Sequence, residues 1–202
     1  MKPLPHEVRI IGGQWKRSKL PVPDKPGLRP TPDRVRETLF NWLGHDLAGW
    51  RCLDAFAGSG ALGFEAASRG AAEVLLLERD RPLARLLEQS RERLHAASVR
   101  VECTDAFGWM ARGSPQRFEL ILLDPPFDVQ QFERALGVAA PLAVPDGFVY
   151  LEADREFGAA ALVGFGLLPH RHLRAGAVHA HLLRRESGGY TAAANHSERS
   201  QS

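Results

Sequence analysis

Residues 52–63 read CLDAFAGSGALG, a short apolar run followed by a glycine-rich turn and a second apolar segment. The first residues have the composition of a buried parallel strand, whereas the residues from about Ala61 onward favour a helix. Between them, Gly58, Gly60 and Gly63 match the G-x-G-x-x-G pattern of a turn whose backbone closely approaches a bound ligand. The stretch therefore predicts the opening strand, the ligand-binding turn and the first helix of a parallel α/β sheet.

The rest of the chain repeats this alternation. Further strand-like apolar runs, most of them separated by helical patterns, occur at 73–78, 99–103, 118–124, 147–153, 167–173 and 177–184. Nearly continuous apolar strands that alternate with helices indicate a parallel sheet covered on both faces. We therefore predict an α/β fold, a Rossmann-like doubly wound and mostly parallel seven-stranded sheet with helices on both faces. Ligands of such sheets bind beyond the carboxyl ends of the strands.

The chain divides into three parts. Residues 1–30 carry strand-like runs around Gly12 and Gly13 and then a proline-rich segment, which predicts a basic β-hairpin appendage and a linker. The sheet domain is expected over 31–186. The segment 187–202 is polar and rich in small residues, and we expect it to be disordered.

A helix is predicted directly after the linker, in TPDRVRETLFNWL. Thr31 is expected to be its N-cap and Pro32 its first residue, the usual place for a proline in a helix. Val35 and Leu39 recur at helical spacing, so they should face the core.

Charge is distributed unevenly along the chain. The net charge of the 202 residues is only +2, but residues 1–36 hold nine basic and three acidic side chains, a net +6 that leaves −4 for the remainder. A basic head on a mildly acidic body suggests contact with a polyanion, most simply a nucleic acid. A solvated basic tail is the alternative interpretation.

Composition indicates an ordinary globular protein, with 44% hydrophobic and 25% charged residues. No apolar run approaches the ~20 residues of a membrane helix, and the amino terminus lacks the apolar stretch of a signal peptide. Cys52 and Cys103 have apolar, strand-like surroundings, which predicts buried thiols in a reducing compartment. We therefore expect a cytoplasmic protein without membrane contact, and a monomer by default.

Two acidic residues bear on the ligand of the glycine turn. Glu78 ends the next strand 20 residues after Gly58, the spacing at which an acid binds ribose hydroxyls, so NAD and other adenosine cofactors both fit. Asp54 precedes the turn, where it would repel a pyrophosphate and favour a cationic group. S-adenosylmethionine carries an ammonium and a sulfonium but no phosphate, and it fits this carboxylate better.

A second informative stretch is FELILLDPPFD at 118–128. Proline cannot donate to a strand ladder, so Pro125 and Pro126 must follow the strand end and Asp124 must lie at its tip. The result is a group of hydrogen-bond acceptors without competing N–H donors. Where strand order reverses, the tips of the first and fourth strands face one cleft, which brings this group towards the glycine turn.

These motifs resemble a known series. DAFAGSG, Glu78, the DA at 105–106 and DPPF at 124–127 look like the motifs of class I S-adenosylmethionine-dependent methyltransferases that modify exocyclic amines. RIIGGQWKRSKLPVP, LRPTPDRVRETLFNWL and LDAFAGSGALGFEA further resemble the RsmD family, which methylates the exocyclic N2 amino group of a guanine in 16S ribosomal RNA of the small subunit. The similarity runs from about Val8 to Glu186. One departure is WKRSKL, where the family more often has a glycine between the basic residues.

The resemblance implies roles for the cofactor residues. The glycine turn would wrap the methionine part of S-adenosylmethionine, Asp54 would bind its ammonium, Glu78 would accept from the ribose hydroxyls, and Asp105 with Ala106 would meet the adenine edge. The implied set is Asp54, Phe56, Ala57, Gly58, Ser59, Gly60, Glu78, Arg79, Asp105 and Ala106.

Catalysis is implied for Asp124, Pro125, Pro126 and Phe127. The two N–H groups of the target amine would donate to the Asp124 carboxylate and the Pro125 carbonyl, which aims the nitrogen and stabilises the charge that develops on it. Phe127 would stack on a flipped-out base. The same motif would serve an adenine-N6 nucleic-acid methyltransferase, which stays the alternative. An NAD-dependent oxidoreductase, a protein-amide methyltransferase and a non-enzymatic ribosome-assembly factor are more distant rivals.

The basic head is expected to contact ribosomal RNA, within a small-subunit assembly particle. Lysine and arginine would bind phosphates, while Trp15 would stack on a base or anchor the small hairpin. The implied RNA-binding residues are Arg9, Trp15, Lys16, Arg17, Arg29, Thr31, Arg34 and Arg36.

Histidines cluster near the end of the chain, in HRHLRAGAVHAH at 170–181. A turn at 175–176 would pair His172 with His179 and His170 with His181 on one sheet face. Because zinc requires tetrahedral ligands and a sheet face offers a flat array, we expect no metal site.

Overall fold

A computed structural model describes residues 7–25, 31–125 and 129–187. Its strands are β1 Glu7–Arg9, β2 Lys19–Pro21, β3 Arg51–Asp54, β4 Glu73–Leu77, β5 Val99–Glu102, β6 Phe118–Leu123, β7 Ala143–Ala153, β8 Leu167–Ala175 and β9 Val178–Arg185. Its helices are α1 Asp33–Leu43, α2 Ala61–Ser68, α3 Arg81–Arg93, α4 Ala106–Ala111, α5 Val129–Ala139 and α6 Ala159–Leu162, with short 3-10 turns at Ala140–Leu142 and Val163–Phe165. The predicted tail falls almost wholly outside the described residues.

Seven strands form the main sheet in the order β5-β4-β3-β6-β7-β9-β8. The strands from β5 to β7 are parallel, whereas β9 is antiparallel to both β7 and β8. The predicted doubly wound sheet is therefore confirmed, as is the small amino-terminal hairpin of β1 and β2. Strand order reverses between β3 and β6, so the cleft expected for a ligand lies at their carboxyl ends.

Both faces of the sheet are buried, because side chains alternate along each strand. On one face Leu120, Leu122 and Tyr150 pack with α1 and α2, through residues such as Leu39 and Phe64. On the other face Leu53, Ile121, Leu123 and Leu151 pack with α4 and α5, through residues that include Phe107, Phe132 and Leu136. These two apolar layers account for the nearly continuous apolar strands of the sequence.

The amino-terminal hairpin is fixed to α2 by hydrogen bonds. The backbone N–H groups of Ile11 and Gly12 donate to the Glu65 carboxylate at 2.7 and 2.8 Å, and that of Trp15 donates to Ser68 Oγ at 3.0 Å. Gly13 has φ of 72°, and a Cβ at this position would lie 1.8 Å from the Ser68 carbonyl oxygen. The bend of the hairpin therefore has one defined orientation on the sheet domain.

Two local predictions are wrong. Helix α1 begins at Asp33 with Pro32 at the cap position and no side-chain cap, because the Thr31 hydroxyl donates instead to Glu152. Cys52 is buried as predicted, but Cys103 is exposed since it lies just beyond the end of β5.

The register of the carboxyl-terminal hairpin also differs from the prediction. His172 is opposite His181, and Arg174 is opposite His179. The reason is that Ala175 pairs with Val178, which moves the turn by one residue and shifts the pairs from Arg171 to Ala175 by two. A bulge before Arg171 then removes His170 from the register. Within the described ranges, no helix has both the length and the apolar composition that crossing a bilayer demands.

Candidate active site

A cavity of about 780 Å³ opens at the carboxyl ends of β3, β4, β5 and β6. Most of the residues predicted for cofactor binding and catalysis line it, although they come from four separate strand ends. Those lining residues are Asp54, Phe56, Ala57, Gly58, Ser59, Glu78, Arg79, Asp105, Ala106, Asp124 and Pro125. Pro126 and Phe127 lie outside the described residues.

The glycine turn forms one wall of the cavity. Gly58 and Gly60 have φ of 52° and 77°, which favours glycine at both positions. Gly60 is buried beneath the cavity rather than lining it, and a Cβ there would lie 2.7 Å from the side chains of Leu87 and Phe64. Gly63 N–H donates to Asp54 Oδ2 at 2.9 Å, so the third glycine lets α2 pack directly on that carboxylate.

Asp54 lies at the floor of the cavity with 2% of its surface exposed. Burial raises the pKa of Asp54 to about 7, and the nearby Glu78 and Glu152 raise it too, against the opposing hydrogen bonds from the Gly63 and Phe56 backbone. In the described part of the chain, no cation forms an ion pair with it. A buried carboxylate without a counter-ion favours a cationic ligand.

Glu78 is held in place by two backbone donors. Its carboxylate accepts from Gly58 N–H at 2.9 Å and from Asp80 N–H at 2.8 Å. Asp80 in turn caps α3 by accepting from Leu83 N–H at 3.0 Å, and it forms an ion pair with Lys25. Lys25 and Asp80 line the cavity but were missed, because neither belongs to a recognisable motif.

The far end of the cavity is partly aromatic. Asp105 caps α4 by accepting from Gly108 N–H at 2.7 Å, which leaves the residues of this turn in a fixed position. Phe56 and Phe107 meet edge to face at 5.4 Å, and the Arg134 guanidinium lies 4.2 Å from the Phe107 ring centroid. Phe107 was not predicted, although it directly follows Ala106. The arrangement suits a flat, heteroaromatic group.

Asp124 is half-buried, and its exposed part opens onto the cavity. Desolvation raises the pKa of Asp124, and the neighbouring carboxylates of Glu152 and Asp54 raise it further. Of the three carboxylates of Asp54, Asp124 and Glu152, sequence analysis missed only Glu152. It stands at the end of β7, inside an apolar run, where a glutamate is easily read as an outward-facing side chain.

The residues predicted to contact RNA do not share one environment. Arg9, Lys16, Arg17 and Arg34 are exposed, and Trp15 is half-buried against the core. Arg29 lies outside the described residues.

Two of the residues predicted to contact RNA are buried. Arg36 is fully buried, with its guanidinium donating to Asp33 at 2.7 Å and to the Arg9 carbonyl at 2.9 Å, so it cannot reach a phosphate. Thr31 is 4% exposed and lines the cavity rather than the outer surface. Helical spacing did not reveal that Arg36 and Thr31 are buried, because their burial depends on contacts with the docked hairpin and with β7.

Three histidines lie close together on β8 and β9. His172 Nε2 is 3.0 Å from His179 Nδ1, and the rings of His172 and His181 stack at 4.7 Å. The buried His181 accepts from Phe157 N–H through Nε2, so its Nδ1 carries the proton when the ring is neutral. That hydrogen bond occupies Nε2 of His181, although the ligand atoms of His172, His179 and His181 all lie within 4.8 Å of one another, and the expectation of no metal stays a prediction.

Comparison with known proteins gives a consistent picture. A family model described as conserved hypothetical protein 95 matches residues 8–184. The chain is 42% identical over 186 residues to "Ribosomal RNA small subunit methyltransferase D" of Escherichia coli K12, covering 91% of this chain and 92% of that protein. The protein of the same name from Haemophilus influenzae is 41% identical over 155 residues, covering 74% and 80%. A solved structure named "Putative methyltransferase yhhF" from Escherichia coli superposes with a TM-score of 0.77 at 36% identity, covering 90% of this chain and 99% of that one.

Proposed function

The chain belongs to the family described as conserved hypothetical protein 95, and we propose that it methylates the exocyclic N2 amino group of a guanine in 16S ribosomal RNA with S-adenosylmethionine. It is a methyltransferase, as its relatives named ribosomal RNA small subunit methyltransferase D are. The observation that carries the proposal is the position of Asp124 and Pro125 in the same cavity as the glycine turn and Asp54.

The cavity fits S-adenosylmethionine better than a dinucleotide. Among the described residues, its lining includes five carboxylates and two cations, Lys25 and Arg79, and Lys25 is already paired with Asp80. This charge balance favours an ammonium and a sulfonium and disfavours a pyrophosphate. The acceptors on Glu78 suit ribose hydroxyls, and the Phe56–Phe107 pair suits an adenine. When bound, S-adenosylmethionine supplies a methyl group on a positively charged sulfur.

Asp124 and Pro125 would hold the target amine. Within the described residues no donor contacts the Asp124 carboxylate, so its oxygens are free to accept from an incoming N–H. The Pro125 carbonyl is a second acceptor, and Pro125 has no N–H of its own to compete. Two such hydrogen bonds orient the nitrogen and favour the positive charge that builds on it during methyl transfer.

The exposed basic residues of the hairpin would bind RNA phosphates. Lys16 and Arg17 lie at the bend, which the bonds to Glu65 and Ser68 orient relative to α2. Such contacts supply affinity that depends strongly on salt. We further propose that the enzyme acts as a monomer in the cytoplasm and takes a small-subunit assembly particle as its substrate, since one small basic module provides few contacts for naked RNA.

The experiment is methylation of small-subunit ribosomal RNA or particles with cofactor labelled in the methyl group, followed by nucleoside analysis. We expect labelled N2-methylguanosine, and Asp124→Ala should lose at least about 100-fold in rate while binding the cofactor nearly as well. Labelled N6-methyladenosine would establish the alternative function instead. RNA binding without label, or an Asp124→Ala variant as active as the wild type, would contradict the proposed role.

A further inference from the structure

Glu152 joins Asp54 and Asp124 on one face of the sheet. Leu122 lies opposite both Asp54 on β3 and Tyr150 on β7, and Leu123 lies opposite Leu151. Because side chains alternate, residues 124 and 152 are neighbours on the face of Leu122 and Tyr150. Three carboxylates therefore meet at the ends of three adjacent strands.

The position of Glu152 is set by two hydrogen bonds. Its Oε1 accepts from the Thr31 hydroxyl at 2.7 Å and from the Tyr150 hydroxyl at 2.9 Å. Only 3% of its surface is exposed. Burying a carboxylate this deeply costs free energy, and the two hydrogen bonds offset part of that cost.

No cation in the described residues forms an ion pair with Glu152. Burial raises the pKa of Glu152, whereas the Thr31 and Tyr150 hydroxyls and the Arg36 guanidinium on α1 favour its ionised form. That guanidinium is also shared among Asp33, Glu65 and the carbonyls of Arg9 and Thr31. The groups that face the Asp124 carboxylate are thus Glu152 and Tyr150 from β7 and Asp54 from β3, with Glu78 beyond Asp54. Carboxyl groups therefore dominate the surroundings of Asp124, and each one that is ionised disfavours ionisation of the others.

Building on the proposed function, we propose that Glu152 is a positioning residue whose negative charge makes Asp124 the proton acceptor of the methyl transfer. The amine nitrogen forms a bond to the methyl carbon while the carbon–sulfur bond breaks and its electron pair stays on sulfur. The nitrogen then carries a positive charge and two protons, one of which points at Asp124. That proton passes to the Asp124 carboxylate, which leaves a neutral methylated amine and a carboxylic acid that solvent deprotonates after product release.

The charge of Glu152 matters because an ordinary aspartate is a weak base. Burial and two neighbouring carboxylates raise the pKa of Asp124, so that its ionised form takes a proton more readily. Glu152 also stays anchored by Thr31, which lines the same cavity. The arrangement therefore links Thr31, the first residue after the linker, to the basicity of the Asp124 carboxylate.

The test compares single-turnover methyl transfer by the wild type and by Glu152→Gln over a range of pH. Glutamine keeps an oxygen for Thr31 and Tyr150 but removes the charge. We expect a rate at least about tenfold lower at pH 8, cofactor affinity within about threefold, and an ascending limb of the pH–rate profile shifted to lower pH by at least about half a unit. Glu156→Gln, which removes a charge from an exposed side chain, should change neither rate nor limb.

Glu152→Asp guards against a folding defect, since it keeps the charge but shortens the reach to Thr31. This variant should transfer the methyl group more slowly, but the ascending limb of its pH–rate profile should stay at the wild-type pH. A Glu152→Gln variant with the wild-type profile, or one that loses rate without any movement of the limb, would overturn the inference and leave Glu152 a structural residue. If the wild type itself transfers no methyl group, the proposed function fails rather than this inference.

Discussion

Among single residues, Asp54 shows most clearly how burial prepares the cavity for its ligand. The carboxylate is almost fully buried, has a pKa raised to about 7, and accepts from the N–H of Gly63. Its ionised form is costly until a cation arrives, so ligand binding and ionisation are coupled. Two measurements follow from this coupling, one on binding and one on stability.

Binding of S-adenosylmethionine should weaken as pH falls through about 7, because the ammonium needs the ionised form of Asp54. We expect the dissociation constant from calorimetry to rise about tenfold or more between pH 7.5 and pH 5.5. Asp54→Asn should bind weakly with much less pH dependence, which separates this effect from titration of the ligand. A wild-type constant that does not vary over this range would exclude the assigned role of Asp54.

Stability without ligand should change in the opposite direction. The folded pKa of Asp54 lies above the unfolded value, so the folded state holds the extra proton and stability is lost as pH rises from about 4 to about 7. At pH 8, Asp54→Asn should therefore have a free energy of unfolding about 2 kcal/mol higher than that of the wild type. Denaturant titration at pH 4 and pH 8 checks this, and an equal difference at both values would refute it.

Among the elements, the contact between the amino-terminal hairpin and α2 decides how the basic bend is presented. Glu65 is fully buried, accepts from two backbone N–H groups of the hairpin, and pairs with Arg69 at 2.8 Å. Gly13 allows the close approach to Ser68 that these bonds require. The hairpin is therefore part of the packed domain, although its sequence suggested an appendage.

Gly13→Ala should separate this contact from ordinary backbone strain. Gly13 and Gly49 both have positive φ, at 72° and 82°, but a Cβ on Gly13 would overlap the Ser68 carbonyl, whereas nothing lies within 4 Å at Gly49. We expect Gly49→Ala to lower the free energy of unfolding by about 1 kcal/mol and Gly13→Ala by at least about 3 kcal/mol. Equal losses in chemical denaturation would show that the close approach contributes nothing.

Across the whole molecule, basic and acidic groups are separated in a way that matches the two proposed ligands. The charged side chains that line the cavity are mainly carboxylates, while Arg9, Lys16, Arg17 and Arg34 are exposed on the amino-terminal part. Lys25 and Thr31, on either side of the linker, both line the cavity, so the basic part and the reaction centre adjoin. A polyanion held on the first would bring a base to the second.

Replacing Lys16 and Arg17 together with alanine should weaken RNA binding and reduce its salt dependence. Each lost phosphate contact lowers the slope of log affinity against log salt by about one, so the double variant should lose about two. Arg171 and Arg174, exposed on β8, provide a control with the same change of net charge. Filter binding that gives an unaltered slope for Lys16 and Arg17, or an equal loss for the control, would remove the bend from the interface.

Local chemistry alone determined the order of strands and helices, the glycine turn, and the carboxylates at strand ends. Asp54, Glu78 and Asp124 were predictable because apolar runs, glycine spacing and paired prolines each limit the backbone within a few residues. Only the tertiary structure decided that Glu152 stands beside Asp124, that Arg36 is buried, and that the histidines pair two residues away from the predicted register. Those outcomes depend on which strands are neighbours and how an amino-terminal hairpin docks, and such contacts join residues that are far apart in the chain.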